Sequence, residues 1–204
     1  MDNYKTYDLQ SCPQATFESW LAKAQDTDKT PEAMTLSTLG PNGEINARMV
    51  LYKGREGEKW AVYTNLKSQK AIDLLSNPIA ALTLWWPGLG RQVRINGATE
   101  QMEREIAKEY FHTRDKNSQV ASYISQQSSP INSREELEEK FFKAQKEFEN
   151  SEVPFPEKNW GGFWFTPEKY EFFIYRDFRL NDRFLYSRPD EDNGGPWEIQ
   201  RLQP

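Results

Sequence analysis

Cysteine and histidine are almost missing from this chain, and each shortage removes a class of chemistry. Cys12 is the only cysteine, so neither an intrachain disulfide nor a thiolate zinc site can form. His112 is the only histidine, which excludes a multi-histidine metal centre and leaves one residue for any Ser-His-Asp triad. Surplus positive charge is also absent. The net charge is −5 with 28% charged residues, so there is no overall attraction to nucleic acid or acidic membranes, although a local basic pocket is compatible with it. No apolar run approaches membrane-spanning length. The opening "MDNYKTYDLQ" lacks the basic end and apolar stretch of a secretory signal. The expectation is a cytoplasmic protein that engages neither nucleic acid nor membrane. There is no dinucleotide fingerprint and no P-loop; "PGLGRQ" has two glycines but no strand-Gly-helix context.

Aromatic residues are plentiful: 7 Trp, 9 Tyr and 12 Phe in 204 residues. Such a load suits a β-rich core, a subunit interface or the pocket of a flat ligand. The length suits one domain, residues 1–204, with 1–29 as an N-terminal segment and helix.

The pattern along the chain predicts many short strands and few intervening helices. "TFESWLAKAQ" (16–25) carries Phe17, Trp20 and Leu21 at helical spacing behind a Thr cap. Residues 33–54 read as a hairpin around Gly40, Pro41, Asn42 and Gly43, and 58–65 as a third strand. A short helix over 67–78 ends before Pro78. Two strands over 79–102 flank a Pro-Gly turn, with Val93 and Ile95 alternating with Gln92, Arg94 and Asn96. Helices follow over 103–113, about 117–126 and 134–150, the last opened by a capping box of Ser133 and Glu136 and striped by Leu137, Phe141, Ala144 and Phe148. After a linker (153–162) come three closing strands, the last two joined by "PDEDNGGP". The whole reads as α+β, mainly β: an antiparallel barrel flanked by helices.

Chemistry-bearing residues sit on these elements. Arg48 and Lys53 are five apart, so strand parity sends them to opposite faces unless a bulge intervenes. They are either anion contacts or solvated edge charges. Tyr110, Arg114 and Ser118 recur every fourth residue; one continuous helix would gather a phenol, a guanidinium and a hydroxyl that suit a phosphate, or simply carry them on a polar surface. "SQQSS" (125–129) is a loop or a set of donors for a polar heteroaromatic ring. His112, beside Tyr110 and Phe111 at a helix end, reads as a cap or packing residue rather than a catalyst. "FRLNDRFLY" (178–186) has apolar ends and a charged middle, which is either a hairpin turn or chemistry held on a strand.

Taken in order, "ARMVLYKG", "VYTNLKSQKAIDL", "RQVRINGATE", "YFHTRDKNSQVASYISQQSSPI", "WGGF" and "RLNDRFLYSR…PWEIQRLQP" resemble the pyridoxamine 5′-phosphate oxidase family from about Thr30 to Pro204. The resemblance implies an FMN-binding split β-barrel that works as a homodimer with flavin at the subunit interface. It implies oxidation of pyridoxine or pyridoxamine 5′-phosphate to pyridoxal 5′-phosphate, with O2 reduced to H2O2. The implied FMN positions are Arg48, Met49, Val50, Leu51, Tyr52, Lys53, Tyr63, Thr64, Gln69, Lys70, Gln92, Gln127, Ser128, Phe173 and Arg183. The implied substrate positions are Lys53, Tyr110, Arg114, Ser118 and Arg179, and Arg179 and Asn181 fall on catalytic positions. No metal is implied.

The chain departs from the family pattern in places. Where the family has "Glu-Phe-Trp-Gln" leading to "Arg-Leu-His-Asp-Arg", this chain has Phe173 for tryptophan, Ile174 for glutamine and Asn181 for histidine. Loss of the glutamine is expected to leave a buried partner unsatisfied. Gln69 stands where the family often has Arg, and the family's substrate-covering N-terminal segment is expected to lack a counterpart before Thr16. On this pattern the charged middle of "FRLNDRFLY" is expected to be active-site chemistry on a strand. The departures keep open two alternatives: an FMN oxidase of another substrate, as in phenazine biosynthesis, and a non-catalytic flavin- or pyridoxal-phosphate-binding module.

Overall fold

The computed structural model describes residues 7–188 and 195–204. Helix α1 (Pro13–Ala24) precedes the strands β1 (Ala33–Leu39), β2 (Ile45–Leu51), β3 (Arg55–Glu56) and β4 (Lys59–Asn65). After α2 (Gln69–Ser76) come β5 (Ile79–Trp86) and β6 (Arg91–Gln101), then α3 (Arg104–Thr113), α4 (Lys116–Ile124) and α5 (Arg134–Glu147). The chain closes with β7 (Trp160–Ile174), β8 (Asp182–Ser187) and β9 (Glu198–Leu202). Among the described residues no helix is long and apolar enough to cross a membrane.

All strand pairings are antiparallel, in the order β2-β1-β5-β6-β7-β4-β3. The sheet splits at β7, the longest strand. Its first half pairs with β4 (Trp60 opposite Phe165) and its second half with β8 (Phe172 opposite Phe184), while β6 follows it along its length. The register slips between Asn96 and Gly97, where the pairing passes from Lys169 to Pro167. A β-bulge accommodates the proline, which has no N–H for the ladder. Gly97 is required there, because a Cβ would lie 2.1 Å from the Thr166 carbonyl oxygen. This is the antiparallel split barrel, flanked by helices, that the strand pattern and the resemblance together implied.

Two apolar clusters hold the frame. The barrel interior is filled by Trp60, Leu82, Leu84, Val93, Ile95, Phe163, Phe165 and Phe172, and α1 plugs it with Phe17 and Trp20. A second cluster packs α3, α4 and α5 on the back of β4 and β7 through Ala61, Phe111, Val120, Ala144 and Trp164. β4 therefore serves both: Trp60 and Val62 face one cluster, Ala61 and Tyr63 the other. A strand buried on both faces sits between a barrel and a helical layer.

Several expectations are corrected. α1 begins at Pro13, the favoured first helical position, with Cys12 as the cap residue. Thr16 is inside the helix, its hydroxyl bonded to the Cys12 carbonyl and accepting the Gln10 N–H. At α5, Ser133 Oγ accepts from Glu136 N, but the Glu136 carboxylate reaches the N–H of Asn132 rather than that of Ser133. Its stripe is buried at Ala144 and Phe148 and exposed at Leu137. Residues 175–181 form a hairpin connection, with Ile174 opposite Asp182 and a 3-10 turn at Asp177–Arg179. Phe178 and Arg179 adopt φ of +58° and +62° there. Arg179 and Asn181 are thus turn residues, and only Asp182 and Arg183 lie on a strand. Asp182 is buried and binds Arg176 and Arg201, which fixes where the strand begins. Ile174 points into the barrel core, so the glutamine-to-isoleucine departure is apolar packing. Arg91, directly opposite it on β6, has a buried Nη1 without a hydrogen-bond partner among the described residues, in keeping with the expected loss of a polar neighbour. Most of the "PDEDNGGP" connection lies outside the described residues.

Candidate functional site

Where the barrel meets the helical layer there is a cavity of about 660 Å³. β2 contributes Arg48, Met49, Val50 and Leu51; β4 contributes Tyr63 and Thr64; the start of α2 contributes Gln69 and Lys70. Tyr110 and Arg114 come from the end of α3, and Gln127 and Ser128 from the loop after α4. Arg48, Lys53, Lys70 and Arg114 all line it, and no Asp or Glu does among the described residues. An acidic chain has gathered four cations around one space, an arrangement whose electrostatics favour an anion.

Arg48 and Lys53 do share this cavity. Strand parity stops applying because β2 ends at Leu51, and Lys53 lies in the connection beyond it. Tyr52 is the member of that run that turns away, packing on Phe17 and Trp60 in the barrel core.

The Lys70 ammonium is buried, yet its partners are neutral. Nζ donates to Thr64 Oγ1 at 3.2 Å, Gln127 Oε1 at 3.3 Å and Ser68 Oγ at 3.4 Å. Burial holds its pKa below the ordinary lysine value, and the Arg48 charge pushes the same way. The nearby carboxylate, Asp73, is fully buried and already saturated. It accepts from Thr38, Asn46 and Gln69, with the Arg48 guanidinium at 3.5 Å. Burial pushes the Asp73 carboxyl up, but those hydrogen bonds and the Arg48 charge outweigh it, so it sits below the usual carboxylate range. Arg48 also donates to the Leu36 carbonyl and to Thr38 Oγ1, which fixes its direction. Ser128 holds a positive φ of +71° and accepts the backbone N–H of Gln69.

The other wall is aromatic. Tyr63 and Tyr110 stack with centroids 3.7 Å apart, and Trp160 lies within 9° of parallel to both. Burial raises the pKa of both tyrosines, so they stay as neutral phenols. The Arg114 guanidinium lies 5.2 Å from the Trp160 ring centroid and donates to Ser122 Oγ at 2.8 Å. One continuous helix does not form here. α3 stops at Thr113, Arg114 is extended, and Asp115 caps α4 by accepting from Ser118 N. The break turns Tyr110 and Arg114 into the cavity and leaves Ser118 outside its lining. Ser122 and Trp160 line it without having been anticipated; "WGGF" was a visible motif, but its spacing assigned no role to its tryptophan. His112 is in the last turn of α3, 3.3 Å from Glu152, and does not line the cavity.

Gln92, Phe173, Arg179, Asn181 and Arg183 do not line this cavity either. Gln92, Phe173 and Arg183 stand directly opposite one another on β6, β7 and β8, so they form one row across the sheet. Arg183 is held there by a two-pronged pair with Glu171, at 2.9 and 3.1 Å. Asn181 Oδ1 accepts the Arg176 N–H and ties the hairpin turn.

Residues 21–146 match the family model described as pyridoxamine 5′-phosphate oxidase. Residues 160–204 match the one described as pyridoxine 5′-phosphate oxidase C-terminal dimerisation region. A pyridoxine/pyridoxamine 5′-phosphate oxidase of Rhodopirellula baltica is 42% identical over 201 residues, covering 97% of this chain and 89% of that protein. One from Nostoc punctiforme is 42% identical over 193 residues, covering 94% and 88%. Among solved structures, PhzG from Burkholderia lata, in complex with tetrahydrophenazine-1-carboxylic acid, superposes with a TM-score of 0.87 at 24% identity, covering 100% of this chain and 98% of that one. A pyridoxamine 5′-phosphate oxidase-related, FMN-binding protein from Nostoc punctiforme gives 0.76 at 15% identity, covering 96% and 100%. At these identities the two structures speak for the fold alone.

Proposed function

The chain belongs to the pyridoxamine 5′-phosphate oxidase family, and from that premise we propose that it is a cytoplasmic, homodimeric, FMN-dependent oxidase built as one domain. It converts pyridoxine or pyridoxamine 5′-phosphate to pyridoxal 5′-phosphate and reduces O2 to H2O2. The observation that carries this reading is the cavity with four cations and no lining carboxylate among the described residues.

The donor set fits FMN. Lys70 is a buried ammonium with only neutral partners beside the Arg48 guanidinium, an arrangement that a phosphate completes. Gln127, Ser128 and Thr64 supply neutral hydrogen-bonding groups for the polar edge of a ring system, and Met49 to Leu51 give a strand edge to lie against it. FMN, when bound, accepts the hydride from the substrate carbon and passes the electrons to O2. The protein's part is to place that carbon and keep its anchor fixed. Lys53, Tyr110 and Arg114 hold the substrate's phosphate. Ser118 gains no support from the geometry for that role.

A second copy supplies what one cavity lacks. Gln92, Phe173 and Arg183 form a ready-made row outside it, and Arg179 and Asn181 stand on the hairpin beside that row. Of the strands that carry them, β7 and β8 fall within the matched dimerisation region, while Gln92 on β6 lies outside it. In the dimer this surface closes the partner's cavity, with Arg179 and Asn181 at the reacting substrate.

The test is purified protein, its visible spectrum, and addition of pyridoxine or pyridoxamine 5′-phosphate in air. Flavin absorbance with release of peroxide and pyridoxal 5′-phosphate is the expected result. No flavin, even after FMN is added, overturns the reading. A second reading keeps flavin and changes the substrate; Phe173 and Asn181 favour it because both alter the row or hairpin that would face the substrate ring. Flavin without turnover of either phosphate ester selects it.

A further inference from the structure

Arg114 is held in an uncommon way. Its guanidinium is partly buried and has no carboxylate within ion-pair distance among the described residues, so burial lowers its pKa, with Tyr110 and Asp115 offsetting part of the effect. Its supports are neutral. Ser122 Oγ takes one N–H at 2.8 Å, and the Trp160 face lies 5.2 Å away. Gln119 Nε2 donates to the Arg114 carbonyl at 2.7 Å, which pins the backbone at the break between α3 and α4. Trp160 is itself fixed: it is 5% exposed, parallel to Tyr63 and Tyr110, and packed in the helical cluster.

A carboxylate partner would hold a guanidinium more strongly, but it would neutralise the charge and occupy the donor fork. An aromatic face attracts the cation through its quadrupole and uses no N–H donor. A single hydroxyl fixes the rotation and uses one of five. The fork is thereby aimed and left mostly free.

We infer that Trp160 and Ser122 are positioning residues: together they keep Arg114 oriented and un-neutralised so that it binds the phosphate of the substrate. This rests on the proposed function, because it takes the anion at Arg114 to be the substrate's phosphate. The pair acts on affinity for the phosphorylated ligand and not on the redox step.

The experiment compares Trp160→Phe, Trp160→Leu, Ser122→Ala and Arg114→Ala in the FMN-loaded protein. The readouts are KM and kcat for pyridoxine 5′-phosphate, and the Kd of pyridoxal 5′-phosphate by direct titration with inorganic phosphate as competitor. Trp160→Leu is expected to raise KM and Kd about tenfold with kcat within about twofold. Trp160→Phe, which keeps a ring face, recovers most of that loss. Ser122→Ala raises both about threefold to tenfold. If Arg114→Ala raises KM and Kd while Trp160→Leu and Ser122→Ala leave them unchanged, the positioning role is overturned and the phosphate site stands. If Arg114→Ala changes neither, the phosphate assignment itself fails. If Trp160→Leu does not fold, Ser122→Ala decides, since it deletes one cavity-lining hydroxyl: unchanged KM and Kd overturn the inference.

Discussion

Lys70→Met separates ligand binding from folding in one substitution. The side chain is 8% exposed, and a methionine of similar length fills the same space. In the protein without flavin, the ammonium has three neutral contacts of 3.2 to 3.4 Å, all long for charged hydrogen bonds. Their partners do not need it. Thr64 Oγ1 donates to Gln127 Oε1 at 3.3 Å and lies 3.3 Å from Ser68 Oγ. Removing the charge therefore also removes a desolvation penalty, and the flavin-free variant is expected to match the parent's stability within about 1 kcal/mol. With FMN the balance reverses, because a charge-assisted contact to phosphate contributes about 1.5–3 kcal/mol, or roughly ten- to a hundredfold in Kd. The assay is flavin-fluorescence titration with FMN and with riboflavin, beside thermal unfolding of the flavin-free protein. Riboflavin has no phosphate, so its affinity is expected to change less than about twofold. The pH dependence follows the same logic. The folded pKa of Lys70 is lowered, so between that value and 10.5 the unfolded chain binds more protons, and stability of the flavin-free protein rises with pH there. FMN affinity falls over the same alkaline window, and Lys70→Met abolishes both slopes. Equal weakening of riboflavin and FMN, or a collapse of the flavin-free variant, would refute the phosphate assignment.

Other outcomes are expected from neighbouring residues. Gln69→Arg adds a fifth cation beside the saturated Asp73 and is expected to tighten FMN about tenfold by titration; unchanged or weaker binding counts against a phosphate near α2. Gly97→Ala drives a methyl into the Thr166 carbonyl at the bulge and is expected to cost about 3 kcal/mol, a fall of roughly 6–12 °C in Tm; a Tm within 2 °C of the parent contradicts the close approach. Asn181→His is expected to raise kcat/KM for pyridoxine 5′-phosphate, since it restores a titratable group on the hairpin. If it does not, Phe173 is left as the altered residue proposed to face the ring, because Ile174 belongs to the core.

Much of the barrel was legible because period-2 alternation survives wherever one face of a strand is buried. β6 shows this: Val93 and Ile95 face inward and Arg94 and Asn96 outward, as the pattern requires. β4 was legible as a strand but not in its environment, since burial on both faces erases alternation. Helix ends were read less well. Thr16 looks like a cap in sequence, yet Pro13 starts the helix one turn earlier and leaves the Thr hydroxyl bonding back to Cys12.

The site shows where local periodicity loses its authority. Tyr110 and Arg114 were associated on the premise of an unbroken helix, and they do meet in the cavity, but for the opposite reason. Asp115 caps a new helix, the backbone at Arg114 becomes extended, and the break aims the guanidinium at Trp160. The same helix-based spacing then fails at Ser118 and misses Ser122, one turn further along α4. Trp160 was beyond reach for another reason. It touches Arg114 across 46 positions of sequence, and no period relates them. The hairpin at 175–181 is the mirror case: its charges looked like strand chemistry because the resemblance fixed their identity and said nothing of φ. Phe178 and Arg179 are held in left-handed backbone at an exposed tip, a conformation worth retaining where a side chain must project. The tip follows directly on the row of Gln92, Phe173 and Arg183, and in the proposed homodimer that surface would be completed by another copy of the chain, which would account for the two groups of residues lying apart in one chain.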